Sequence, residues 1–199
     1  MASKKFNNVY IKDNFSIVGP LERDGLLKNY DLVMDDYYYG EKTFEQAEIK
    51  MQKIVLNNLL NKNRLTENKV DFLLGGDLIN QISISSYNAS KFNIPYLGIY
   101  SACATYAEEL MLGASLISGK LAKNIIAITS SHNLNAERQF RYPVEYGAVK
   151  KHTTTFTTTA AISTLLTSEQ TGIKVESATI GKAIDMGIKQ SWLQLLQIL

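Results

Sequence analysis

The chain has 199 residues, 45% hydrophobic and 20% charged, which is enough for one domain with a sizeable core. Twelve Gly and three Pro exclude collagen-like or low-complexity architecture, and the apolar content excludes disorder. A net charge of +2, with no basic run longer than Lys150-Lys151, argues against nucleic acid as a partner. A single cysteine, Cys103, allows no internal disulfide. The start of the chain has no apolar stretch of signal-peptide type, and no window approaches the ~18 apolar residues of a membrane span. The expectation is an intracellular, soluble protein that meets membranes only through partners.

In chain order, Phe15–Val18 reads as a strand closed by Gly19-Pro20, followed by a long aromatic and acidic loop around Asp35–Tyr39. Thr43 and Gln46 fit a capping box, and Phe44, Ala47, Met51, Ile54, Val55 and Leu59 recur at helical spacing to about Leu60. Phe72–Gly76 is a continuous apolar run of the kind buried on both faces of a sheet, and a helix is expected from about Ile79 to Lys91. Pro95–Tyr100 reads as a further strand that turns at Ser101–Thr105 into an Ala- and Leu-rich helix stopped at Gly119. Asn124–Thr129 is a fourth strand, and residues 130–152 read as a long irregular loop. The β-branched Thr153–Thr159 run leading into Ala160–Leu166 suits a strand, with Ile173–Ile180 pairing beside it. Strands alternating with helices imply parallel βαβ units in a layered α/β sheet, whose ligands usually sit at the carboxyl ends of the strands.

Candidate site residues fall at those ends. Cys103 lies where a strand turns into a helix; it reads as a nucleophile favoured by the helix dipole, or as a small side chain filling the junction. His132 reads as a base, as a donor to an anion, or as a locally satisfied histidine. Asp77 and Asn80 follow a glycine pair and read as ligand contacts or as helix caps. Arg138 and Arg141, with Glu137 and Glu145 nearby, suit carboxylate binding or internal pairing. No metal-ligand spacing, phosphate loop or G-x-S-x-G elbow is present.

Five segments carry a resemblance: Gly19–Glu22, Gly40–Glu45, Gly76–Gln81, Ser101–Thr105 and, most specifically, Ser130–Gly147 with its Ala136-Glu-Arg-Gln-Phe-Arg-Tyr-Pro143 core. Together, from about Phe15 to Gly187, they resemble the stage V sporulation protein AD family of spore-forming bacteria. The resemblance implies a thiolase-like α/β fold, here one βαβαβαββ half with layered helices and a mixed, mostly parallel sheet. It implies a place in the apparatus that moves dipicolinic acid, with or without calcium, alongside other stage V sporulation A proteins at the forespore or spore inner membrane. It also implies ligand binding rather than catalysis, with no cofactor and no resident metal. Cys103 would occupy the thiolase nucleophile position, and Asp77, Asn80 and His132 would line the cleft that holds the dicarboxylate, helped by the amides that open the next helix. A calcium ion or a proton would have to reconcile Asp77 with a dianion. The rival classes are a thiolase-type acyltransferase or condensing enzyme using Cys103, and a purely structural subunit.

Family members continue for a second half of comparable length, which in thiolases supplies the His and the second Cys that activate the nucleophile. Residues 1–190 are therefore read as an N-terminal half-domain whose exposed apolar face favours aggregation or association, including a homodimer. Residues 191–199 are read as an out-of-frame tail. Read two nucleotides later, codons for Ser191-Trp-Leu-Gln-Leu-Leu-Gln-Ile198 can encode the Met-Ala-Pro-Ala-Ala-Ala-Asp found in relatives.

Overall fold

The structure is a computed structural model that describes residues 2–140 and 157–182, with side chains for all of these but 137–140. Its strands are β1 (Ala2–Lys5), β2 (Tyr10–Val18), β3 (Leu32–Val33), β4 (Phe72–Asp77), β5 (Tyr96–Gly98), β6 (Asn124–Ser131), β7 (Ala160–Thr167), β8 (Ile173–Lys174) and β9 (Ser177–Ile180). The α-helices are α1 (Pro20–Arg23), α2 (Phe44–Lys62), α3 (Ser83–Ala89), α4 (Thr105–Ser118) and α5 (Asn133–Phe140). The main sheet runs β3-β2-β7-β6-β4-β5, and β8 shares the outer edge of β2 with β3. It is mixed: β5, β4 and β6 are parallel to one another, whereas β7 is antiparallel to both β6 and β2.

The parallel pairings require crossovers, and the intervening helices cover opposite faces. Along β4, Leu73 joins the core beneath α2 and Leu74 the core beneath α4. Ile126 and Ile125 divide in the same way on β6, as do Leu165 and Leu166 on β7. The central residues of β4 and β6 are therefore apolar on both faces, because both faces are buried. Helix α2 begins as its sequence requires, with Thr43 Oγ1 accepting the Gln46 amide at 3.2 Å.

The structure differs from the expectations in four places. Residues 133–140 form α5, where a loop is expected; the helix starts with the Ala136 amide donating to the His132 carbonyl, and Thr159 Oγ1 receives the Asn133 amide from outside the helix. The helix expected from Ile79 begins at Ser83, after Gln81 and Ile82 take left-handed φ values of 60° and 46°. The Ile173–Ile180 segment does not lie beside β7: β8 pairs with β2, and β9 pairs antiparallel with β1 in a separate ribbon. Helix α4 stops at Gly119 as expected, but Gly119 has φ −77° and the left-handed residue of the stop is Lys120 at 61°. Arg141, Glu145, Thr153–Phe156 and the tail lie outside the described residues.

Candidate functional site

A cavity of about 300 Å³ opens at the carboxyl ends of β4 and β6. Register places Asp77 against Ser130 there, and the antiparallel β7 brings its first residues, Ala160 and Ala161, to the same end against Ser131 and Ser130. Cys103 and Tyr106, from the start of α4, form another wall, and Thr157 and Thr158 close the side before β7.

Cys103 is exposed at the cavity rim, within a single 3-10 turn, Ala102–Ala104, that leads into α4. It is not filler at the strand-to-helix junction. The residue before it, Ala102, has φ 46°, a backbone conformation that costs an L-residue about 1 kcal/mol or more. Behind this turn Gly76 passes so close to the chain that a Cβ would stand 2.2 Å from the Ile99 carbonyl oxygen and 2.5 Å from Thr105 Cγ2. Only glycine lets β4 reach the α4 entry.

Asp77 is 1% exposed and lines the cavity, but its carboxylate is occupied on the chain side. Oδ1 accepts the Ile79 amide at 2.8 Å and Oδ2 the Ser85 amide at 2.7 Å. These two bonds bracket the left-handed Gln81 and Ile82 and hold the loop in its strained shape. Burial raises the Asp77 pKa and the two amides oppose that shift.

The structure brings Asp77 and Cys103 into one cavity and leaves the other two sequence candidates outside its lining. Asn80 is exposed in the turn that precedes α3. His132 is 0% exposed, stacked on Phe44 at 5.1 Å and edge-on to Tyr37 at 5.8 Å. Its Nε2 lies 2.8 Å from the Tyr37 carbonyl oxygen, which can only accept, so that nitrogen carries the proton. The Arg138 side chain and Arg141 lie outside the described residues.

Beneath the cavity lies a polar cluster that sequence periodicity alone does not single out. Glu48 is fully buried on α2; Ser130 Oγ donates to its Oε1 at 2.8 Å and Asn135 Nδ2 to its Oε2 at 2.8 Å. Gln52, one turn further along α2, donates to both Ser85 Oγ and Ser130 Oγ at 2.9 Å. Burial, reinforced by the charge of Asp77 and opposed by the two hydrogen bonds, pushes the Glu48 pKa up to about 7. Glu22 clamps the approach to β7 by accepting the Thr159 amide at 3.0 Å, while the Gly19 amide donates to the Thr159 carbonyl at 2.8 Å. The available signal was the placement of Glu48 and Gln52 among Ala47, Met51 and Val55 on the stripe that faces the sheet, where a helix normally carries apolar side chains.

Among the described residues no group of three or more His, Cys, Asp or Glu could hold a metal ion, and no helix is long and apolar enough to cross a membrane. The fold is shared with thiolase-like enzymes of low sequence identity. Xanthomonas campestris OleA H285N with cerulenin aligns at TM-score 0.55 and 11% identity over 82% of this chain and 58% of that one. The priming β-ketosynthase of the R1128 polyketide pathway aligns at TM-score 0.54 and 9% identity, covering 86% and 53% of the respective chains. A 3-oxoacyl-(acyl-carrier-protein) synthase III gives 0.53 and 14%, covering 83% and 51%.

Sequence comparison is more specific. The chain is 39% identical over 181 residues to the Stage V sporulation protein AD of Bacillus subtilis (strain 168), covering 90% of this chain and 54% of that protein. It thus spans about half the length of that curated relative. The sequence profile of the Stage V sporulation protein AD (SpoVAD) family matches residues 2–193, and the chain belongs to that family of sporulation proteins.

Proposed function

We propose that the cavity between Asp77, Cys103 and Ser130 binds dipicolinic acid as part of the spore's dipicolinate-moving apparatus, without covalent chemistry. The observation that carries this reading is the cavity itself, set at the carboxyl ends of β4 and β6 beside the turn that opens α4. Cys103 stands at the cavity rim, whereas His132 lies buried beneath Phe44 with Nε2 committed to the Tyr37 carbonyl. So placed, His132 stays outside the cavity lining, and in thiolases the histidine that activates the cysteine comes from the second half. The cavity, at about 300 Å³, lies at the small end of ligand sites, a size that suits a single aromatic ring with its carboxylates. The amides that open α4 suit a carboxylate.

Asp77 acts in this reading as the clamp of its loop, because both its oxygens already hold amides. Association with other stage V sporulation A proteins would bring the site to the spore inner membrane. Dipicolinate at a hundred times its Kd should stabilise the folded chain by about 2.7 kcal/mol. That corresponds to a Tm rise of about 5–10 °C for a domain of this size. Cys103→Ala should keep most of the rise. Acyl-CoA labelling at Cys103, detected by mass spectrometry, would overturn the reading in favour of an acyltransferase, and the absence of any response to dipicolinate would favour a structural subunit. Running the titration with and without calcium, on wild type and Asp77→Asn, tests whether a cation bridges ligand and Asp77. Calcium-dependent tightening that Asp77→Asn leaves intact rules the bridge out.

A further inference from the structure

One buried carboxyl group is hydrogen-bonded to a residue that lines the cavity. Ser130 lines the cavity, and its Oγ donates to Glu48 Oε1 while accepting from Gln52 Nε2. A serine hydroxyl has one proton. With that proton directed at Glu48, Ser130 offers the cavity only lone-pair density, which repels an anion. Gln52 cannot change this, because its Nε2 already donates to both Ser85 and Ser130. Asn135 Nδ2 donates to Glu48 Oε2, so a proton arriving on Glu48 belongs on Oε1, the oxygen that faces Ser130.

We propose that Glu48 and Ser130 make anion binding in the cavity proton-linked. Glu48 Oε1 takes one proton from the buffer, the hydrogen bond to Ser130 reverses so that the carboxyl donates to Oγ, and the released Ser130 hydroxyl donates to an anionic oxygen in the cavity. One proton enters and the charge of the cluster rises by one, with no other group transferred. This rests on the reading of the cavity as a ligand site.

The surroundings of Glu48 favour the exchange. Asp77 at the end of β4 and Glu45 on α2 itself both act on it as negative charges. Helices α3 and α5 present neutral partners to the cluster, Ser85 and Asn135. His132, after β6, is stacked on Phe44 one turn before Glu48 and has its Nε2 at the Tyr37 carbonyl. Burial holds the Glu48 carboxyl at about 7, so the exchange falls in the neutral range.

Calorimetric titration of the chain with dipicolinate, in two buffers of different ionisation enthalpy, counts the protons. Uptake should rise towards one proton per ligand as pH goes from about 6.5 to about 8.5, while affinity falls up to about tenfold per pH unit above neutrality. Glu48→Gln can donate its amide to Ser130 and accept from Asn135. It should bind dipicolinate with no proton uptake and no pH dependence over the same range. A wild type that binds without taking up a proton overturns the inference while sparing the cavity reading. Undiminished uptake in Glu48→Gln, which would place the proton on Asp77 or elsewhere, overturns it as well. Failure of both proteins to bind dipicolinate removes the cavity reading and this inference with it.

Discussion

Glu109 sits four residues after Thr105 on the face of α4 that meets β4, and both of its carboxyl oxygens are buried with no hydrogen-bond partner among the described residues. The Gly76 backbone lies beside it, and burial, with the charge of Glu108, pushes its pKa up to about 10. Between the ordinary 4.5 and about 10 the unfolded chain ionises this group while the folded chain keeps it protonated. The folded state therefore binds more protons, and stability falls as pH rises through that window, by about 1.4 kcal/mol per pH unit at most. Glu109→Gln, which removes the ionisation, should gain roughly 2–4 kcal/mol relative to wild type between about pH 5 and about pH 8. Urea midpoints at the two pH values check this, and equal midpoint shifts at both would rule it out. Asp77 shows the opposite treatment of a buried acid, with two amides on its oxygens. The sequence placed both acids beside glycine-rich or helical segments, but only the folded chain shows which of them has partners.

Helix ends in this chain follow local chemistry where a short side chain meets the backbone. Thr43 caps α2 through the Gln46 amide, and Thr43→Ala should cost about 1 kcal/mol in thermal or urea denaturation. At the end of α4 the Leu121 amide bonds the Leu116 carbonyl at 2.9 Å and the Lys120 amide bonds Ile117 at 2.9 Å, which requires the left-handed residue to be Lys120. Lys120→Gly removes a Cβ penalty there and should raise stability by up to about 1 kcal/mol. An unchanged or lower urea midpoint would show that the lysine is not strained. Helix α5 was not expected because Asn133–Phe140 is short and mostly polar; Thr159, just ahead of β7, helps to place its start.

On the scale of the whole molecule, β5 is the edge of the main sheet, and Leu97 on it and Tyr100 just beyond it are exposed. An edge strand with apolar side chains invites pairing with another chain. The chain is expected to associate in a concentration-dependent way in sedimentation velocity, and Leu97→Lys, which puts a charge on that edge, should shift the distribution towards monomer. A wild type that stays monomeric across the accessible concentration range would contradict this. The same sheet explains why the site could be read only in part. Its pockets form where strands distant in sequence end together, so Ser130, Asp77 and Ala161 meet through register.

Sequence by itself determined the elements whose causes are local. Apolar runs wrote β4 and β6, β-branched residues pointed to β7, the Thr43–Gln46 pair began α2, and the Gly76–Gln81 and Ser101–Thr105 motifs marked the two loops beside the cavity. Tertiary structure decided everything that depends on pairing between distant segments: that β8 lies on β2, that β9 joins β1, that Asp77 serves an amide eight residues away, and that His132 packs under Phe44 outside the cavity lining. A hydrogen bond across the fold leaves no periodic trace in the chain. The sequence shows Glu48 as an acid on the sheet-facing stripe of α2, but only the fold brings Ser130 and Asn135 onto its two oxygens.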